Sequence, residues 1–227
     1  MYGIAERVYD WAMTKAMRVS IIGAGNVGGN LGRSFSKAGL AVRFGVRPGT
    51  DTKALLEACG KDASASEPAE AATWGDVVFL AVPGSVAVDV ARSLAKELAG
   101  KVVVDCNNPL VWKEGPVWTP PAEGSLAAAI AAAAPGARVV KAFNTFGAEH
   151  HADPKLTGKS AEVFLAGDDA DAKKLVSEVA TTAGFTPIDA GPLRNAAVLE
   201  NVAMLWIHLA TVGGHPRNFA FAMQRPA

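Results

Sequence analysis

Six residues near the start of the chain, Gly23-Ala24-Gly25-Asn26-Val27-Gly28, have the types and spacing needed to cradle a diphosphate. The apolar run Arg18–Gly23 leads into them as a buried strand, and a helical pattern over Asn26–Ala38 leads away. In that setting Gly23 permits the tight turn, Gly25 lets phosphate oxygens approach the backbone, and Gly28 lets helix and strand pack closely. The free N–H groups of the helix N-terminus then face the anion. A glycine-rich turn without a ligand is the alternative, but the strand–turn–helix context points to a dinucleotide. The next strand, Ala41–Gly45, runs into Val46-Arg47 and lacks the Asp or Glu that grips the ribose hydroxyls of NAD. Arg47 offers a planar, permanently charged fork to a 2′-phosphate, which points to NADP(H), although Asp51 lies in the following turn.

Other polar residues fall where strands end. Val82-Pro83-Gly84 closes the apolar run Val77–Val82 and is placed to skirt a nicotinamide ribose. Asn107-Asn108 follows the strand Lys101–Asp105, and Phe143-Asn144-Thr145 follows Arg138–Ala142. Asn and Thr in such positions bond a carboxamide or a substrate, or simply cap loops. The long loop Asn107–Gly124 also leaves a strand's carboxyl end, where ligands bind in open α/β sheets. No catalytic residue is assigned. There is no Ser/His/Asp arrangement in a motif context and no Lys in a Schiff-base setting. His150-His151-x-Asp153 lacks helical ligand spacing and reads as a solvated loop, so no metal site is expected. His208 reads as a core or interface residue, and Trp74, Trp112, Trp118 and Trp206 as core packing. Hydride transfer between two bound cofactors depends on proximity and orientation more than on an acid–base pair, so this pattern suits a redox enzyme.

The elements that must position these residues alternate. Strand and helix patterns succeed one another through Val86–Leu98, Ser125–Ala134, Glu162–Ala166, Ala170–Ala183 and Thr186–Asp189, then a long tail helix, Leu193–Gly213, and a short one over Asn218–Met223. This predicts an α/β fold with a doubly wound, mostly parallel sheet of the Rossmann type and a short C-terminal extension of strands and helices. The expected division is an N-terminal extension over 1–16, a nucleotide-binding domain over 17–192 and a helical segment over 193–227. Lys and Arg number 22 and so do Asp and Glu, which argues against a nucleic-acid partner or an anionic membrane surface. Two distant cysteines, Cys59 and Cys106, form no disulfide framework and read as small buried apolar residues. No stretch reaches the length of a membrane span and residues 1–16 do not read as a secretory signal, so a cytoplasmic protein is expected.

The sequence resembles the NADPH-dependent reductases of the deazaflavin coenzyme F420 from Met17 to about Ala203. The likeness rests on RVSIIGAGNVGGNLG, FGVR, FLAVPGSVAVDVA, VVKAFNT and the more specific block DAGPLRNAAVLEN over Asp189–Asn201. VDCNN and VVKAFNT are also similar to the cytosolic reductase domains of six-transmembrane ferric reductases. The resemblance implies one Rossmann domain extended by two strands and closing helices, a homodimer, and hydride exchange between nicotinamide C4 and deazaflavin C5. It implies that Gly23, Gly25, Asn26, Val27 and Gly28 hold the diphosphate, that Arg47 meets the 2′-phosphate and that Val82-Pro83 flank the ribose. Asn144 to Ala148, Thr145 included, would lie near nicotinamide and deazaflavin. Ala24 and Val46 stand where archaeal members tend to carry Thr and Ser, which removes two hydroxyl donors; Asn144 stands where they carry His at the deazaflavin contact. Two other readings share the scaffold: reduction of a flavin, ferric chelate, quinone or imine, and a non-catalytic NADP(H)-sensing protein.

Overall fold

A computed structural model describes residues 17–224, so the expected extension over 1–16 lies outside the described residues. In chain order the elements are β1 (Arg18–Ile22), α1 (Asn26–Lys37), β2 (Ala41–Gly45), α2 (Lys53–Cys59), β3 (Ala63–Ser66), α3 (Pro68–Trp74) and β4 (Val77–Leu80). Next come α4 (Gly84–Ser93), α5 (Ala95–Leu98), β5 (Val102–Asp105), β6 (Leu110–Trp112), β7 (Pro116–Trp118), α6 (Leu126–Ala133) and β8 (Arg138–Lys141). The chain closes with α7 (Ala148–Ala152), β9 (Glu162–Leu165), α8 (Ala170–Thr182), β10 (Thr186–Asp189), a 3-10 turn at Leu193–Asn195 and α9 (Ala196–Thr211).

Six strands pair in the order β3-β2-β1-β4-β5-β8, and every pairing is parallel. The four residues of β4 and of β5 are all buried, because helices cover both faces of the sheet. One face packs Val19, Ile21, Val42, Phe44, Phe79 and Val104 against Leu31 and Phe35 of α1 and Val176 and Val179 of α8. The other packs Val78, Leu80 and Val103 against α3, α4 and α6 through Ala71, Ala87, Leu126 and Ile130. Each large side chain so buried contributes roughly 1.5–3 kcal/mol. This is the doubly wound arrangement expected from the alternating pattern, with the strand order reversing between β1 and β4.

The expected extension takes the form of a parallel pair, β9 and β10, joined through α8. Its attachment to the main sheet is an antiparallel bridge between Lys141 and Ala166, with N–O distances of 2.8 and 3.0 Å. Side chains start the flanking helices: Asp169 accepts from the Ala172 N–H at 2.8 Å and Ser125 from Ala128 at 3.1 Å.

Several expectations differ from the structure. The helix read over Val86–Leu98 starts earlier, at Gly84, and breaks at Leu94. The loop after β5 contains an antiparallel hairpin, β6–β7. No helix covers Asn218–Met223. Backbone groups there serve other elements instead: the Phe219 carbonyl accepts from Trp206 Nε1 at 2.8 Å and the Met223 N–H donates to Glu162 at 2.7 Å. Cys59 is half-buried and Cys106 buried, both as free thiols.

Candidate functional site

The glycine turn meets the packing limits of the fold at two of its three glycines. Gly23 has φ +106°, and a Cβ there would lie 2.4 Å from the Ala81 carbonyl oxygen. A Cβ on Gly28 would lie 2.2 Å from the Gly23 oxygen. Both are therefore demanded by the protein itself. Gly25 differs. A Cβ there meets nothing within 4 Å, and the residue has ordinary extended backbone, φ −75°. The protein does not need glycine at 25; it leaves open space over the start of α1. That helix end has no side-chain cap and no acid in its first turn, so its N–H groups face the opening. Asn26 is exposed there, while Ala24 and Val27 lean on the core.

The end of β2 lies beside the turn, since the Gly23 N–H donates to the Gly45 carbonyl at 3.0 Å. Arg47 is exposed and makes no ion pair among the described residues; Val46 packs its side chain on the core. Asp51 turns away, accepting from the Lys53 N–H at 3.0 Å at the start of α2. A polyanion at this position would meet a guanidinium that no carboxylate pairs among the described residues.

A cleft of about 350 Å³ opens across the carboxyl ends of β1, β4 and β5. Of the residues expected at the site, it brings together Gly25, Asn26, Val27, Val82, Pro83 and Asn107. Cys106, Asn108 and Leu110 also line it. Asn144, Thr145 and Ala148 do not line this cleft. Asn144 and Thr145 are buried behind it, and Ala148 begins α7, where its carbonyl accepts from Asn30 at 2.7 Å. Asn144 is nevertheless tied to the cleft wall: its Nδ2 donates to Asn108 Oδ1 at 2.9 Å, and Asn108 Nδ2 donates to the Asn144 carbonyl at 3.1 Å. The same Asn144 Nδ2 also reaches the Leu199 carbonyl of α9 at 3.1 Å.

The turn after β8 is strained. Phe143 has φ +60°, a left-handed conformation that costs an aromatic residue of order 1–3 kcal/mol. His151 holds it from behind, donating through Nε2 to the Phe143 carbonyl at 2.8 Å. This corrects the solvated-loop reading of His150-His151: both rings are buried on α7, packed on Phe146. Burial pushes the His151 imidazole down to about 4, the Phe143 hydrogen bond opposing only part of that. Among the described residues no cluster of His, Cys, Asp or Glu is arranged to hold a metal ion. One further expectation is corrected. Trp112 is 56% exposed, because the hairpin pairs only three residues from each strand and leaves Val111 and Val117 exposed with it. His208 is exposed on α9, which rules out the core half of its reading and leaves the interface half.

Sequence reasoning missed the most polar part of the site. Lys141, Asp105 and Glu200 are fully buried together. Lys141 Nζ donates to Asp105 Oδ2 at 2.8 Å, to Glu200 Oε1 at 3.0 Å and to the Asn107 carbonyl. Glu200 also accepts from Trp118 Nε1 at 3.0 Å and from the Leu126 N–H at 2.9 Å. Asp105 Oδ1 accepts from the Asn107 N–H and side-chain amide at 3.0 and 2.9 Å. The cluster thereby joins β5, β8, the hairpin, α6 and α9 beneath Asn107. Asp105 and Lys141 are opposite in register and each ends an apolar strand, a signal present in the sequence.

Comparison with known proteins bears on this site. The family model described as "NADP oxidoreductase coenzyme F420-dependent" matches residues 18–109, which hold the glycine turn, Arg47 and the cleft loops. The F420-dependent NADP reductase of Methanothermobacter marburgensis is 30% identical over 212 residues, which are 85% of this chain and 92% of that protein. Metalloreductase STEAP3 of Rattus norvegicus is 33% identical over 191 residues, 84% of this chain, and the chain spans only 37% of that protein's length. A crystal structure from Arthrobacter sp. FB24, described provisionally as an F420-dependent NADP reductase, superposes with a TM-score of 0.83 at 28% identity. That match covers 92% of this chain and 100% of the other.

Proposed function

Since the chain belongs to the coenzyme F420-dependent NADP oxidoreductase family and is an NADP-dependent oxidoreductase, we propose that it transfers hydride between NADP(H) and the deazaflavin coenzyme F420. The observation that carries the nucleotide half is the open space at Gly25 above an uncapped helix end, with the unpaired Arg47 beside it. In this reading Gly23, Ala24, Gly25, Asn26, Val27 and Gly28 form the diphosphate turn. Val46 and Arg47 flank the 2′-phosphate, and Val82 and Pro83 the ribose. Asn107, Asn144, Thr145 and Ala148 build the nicotinamide side. The nicotinamide supplies the hydride chemistry; the residues named bind, orient and shield it. The deazaflavin half rests on the named relatives. The likeness to the rat metalloreductase over 84% of the chain favours one second reading, reduction of a ferric chelate.

The test is oxidation of NADPH by the purified protein, followed by nicotinamide absorbance, with coenzyme F420, FMN or ferric citrate as acceptor. Turnover with F420 and not with the others supports the proposal. Turnover with ferric citrate alone moves the chain to the second reading, and NADPH binding without turnover by any acceptor favours a sensor.

The protein acts in this proposal as a cytoplasmic homodimer. No helix among the described residues is long and apolar enough to cross a membrane. Val198, Val202, Leu205 and Leu209 on α9, and Val212 that caps it, recur at alternating spacings of four and three, the pattern of a helix-pairing seam. Val198, Leu205 and Val212 are 59%, 51% and 47% exposed, and a second copy of the chain would cover them. Light scattering of the wild type and of Leu205→Lys tests this, the variant being expected to run at half the mass.

A further inference from the structure

The cleft is electrically asymmetric. Arg47 stands at the end of β2, on one side of the point where the strand order reverses. A dinucleotide lying across that point puts its adenosine half over β2 and its nicotinamide half over β4, β5 and β8. The Asp105–Lys141–Glu200 cluster therefore sits under the nicotinamide half, separated from the cleft by Asn107. Two carboxylates and one ammonium leave a net charge of minus one. Every carboxylate oxygen in the cluster accepts from a donor, namely Lys141, Trp118, Leu126 or Asn107, and none faces an acceptor that would require a carboxyl proton. At Cys106, where burial is the main cause of a raised thiol pKa, Asp105 pushes it up more than Lys141 pulls it down.

We propose that this buried cluster favours the cationic, oxidised nicotinamide over the neutral, reduced one, and so makes bound NADPH a stronger hydride donor than free NADPH. The inference rests on the NADP(H) reading of the cleft. When hydride leaves the reduced ring for a two-electron acceptor, the ring gains one positive charge, and the acceptor takes the hydride's proton and electron pair. A fixed negative charge nearby stabilises the charged product ring and not the neutral reactant ring, without any motion of the protein.

The test is binding rather than turnover: dissociation constants of NADP+ and NADPH by calorimetry at one ionic strength and neutral pH. The wild type is expected to hold NADP+ more tightly than NADPH. Glu200→Gln removes one negative charge. A unit charge acting at about 10 Å through an effective dielectric constant of about 40 corresponds to a change on the order of fourfold, here against NADP+ relative to NADPH. The glutamine amide would face a donor, Trp118 Nε1, so the double variant Trp118→Phe/Glu200→Gln removes that clash, with Trp118→Phe alone as the neutral control. A purely structural cluster predicts equal loss of both nucleotides, and that outcome overturns the proposal. Binding of NADPH by the wild type as tightly as NADP+, or more tightly, also overturns it, and decides the matter alone should neither glutamine variant fold. Failure of both nucleotides to bind the wild type would instead overturn the NADP(H) reading on which the proposal stands.

Discussion

Acidification from pH 7 to pH 5 should destabilise this protein through His151 before its carboxylates respond. The ring is 1% exposed, packed 4.9 Å from Phe146 between centroids, and spends its Nε2 proton on the Phe143 carbonyl. Burial lowers its pKa from 6.5 to about 4. In the unfolded chain the ring takes up a proton near 6.5, whereas the folded protein resists until about 4. The unfolded state thus binds more protons across that window. His151 leaves stability intact above the unfolded value, and the loss grows as pH falls toward the folded value. Between pH 7 and pH 5 the linkage amounts to about 2 kcal/mol, and about 3 kcal/mol once the folded ring also titrates. His150, also lowered by burial, adds in the same direction. Asp76, Glu149 and Asp189 are lowered from 3.8, 4.5 and 3.8, so their losses begin only at lower pH. The measurement is urea unfolding at both pH values for the wild type and His151→Gln, which keeps a donor at the same reach but cannot titrate. The variant should lose about 2 kcal/mol less than the wild type over this interval. An equal loss in both would refute the burial argument.

The remaining predictions concern the site. Gly25→Val should abolish binding of both nucleotides while costing no more than about 1 kcal/mol of stability, since its side chain meets only the space reserved for the diphosphate; calorimetric titration and thermal unfolding check the two halves. Arg47→Ala should weaken NADPH about tenfold or more and leave NADH nearly unchanged, because one charged hydrogen-bonding group is lost to the 2′-phosphate alone; equal losses in a binding titration would contradict its role. Lys141→Met should destabilise the fold by about 3–5 kcal/mol, because Asp105 and Glu200 would be left buried together without their cation; denaturant unfolding measures this.

What was legible in the sequence was whatever a local pattern enforces. Val77–Leu80 reads as a doubly covered strand because every one of its residues is apolar, and the glycine turn is visible because Gly23 and Gly28 cannot be replaced in that geometry. β3, with the sequence ASAS and no residue fully buried, gives no such signal; only its pairing with β2 makes it a strand. The histidines failed for a related reason. Nothing in their own segment announces burial, which comes from α1 packing on α7 and from the aromatic rings of Phe143, Phe146 and Phe185. Asp105, Lys141 and Glu200 look like three unrelated polar residues until strand register and the path of α9 bring them together.

That convergence changes how the tail of the chain is understood. Three of the links that leave the segment at the end of β8 run toward the later part of the chain through side chains: Lys141 to Glu200, Asn144 to the Leu199 carbonyl, and His151 to the Phe143 carbonyl. Two of the three end on α9, and the third fixes the left-handed turn that sets Asn144 against Asn108. In the proposed binding mode the adenosine half of the cleft is thus built from the first two strands and α1, close in sequence. The half proposed to hold the nicotinamide depends on a helix about sixty residues downstream of β8. A change in α9 that left the sheet intact should therefore disturb the nicotinamide end of the site while sparing the grip on the diphosphate, because nothing in the glycine turn touches that helix through a hydrogen bond or ion pair among the described residues.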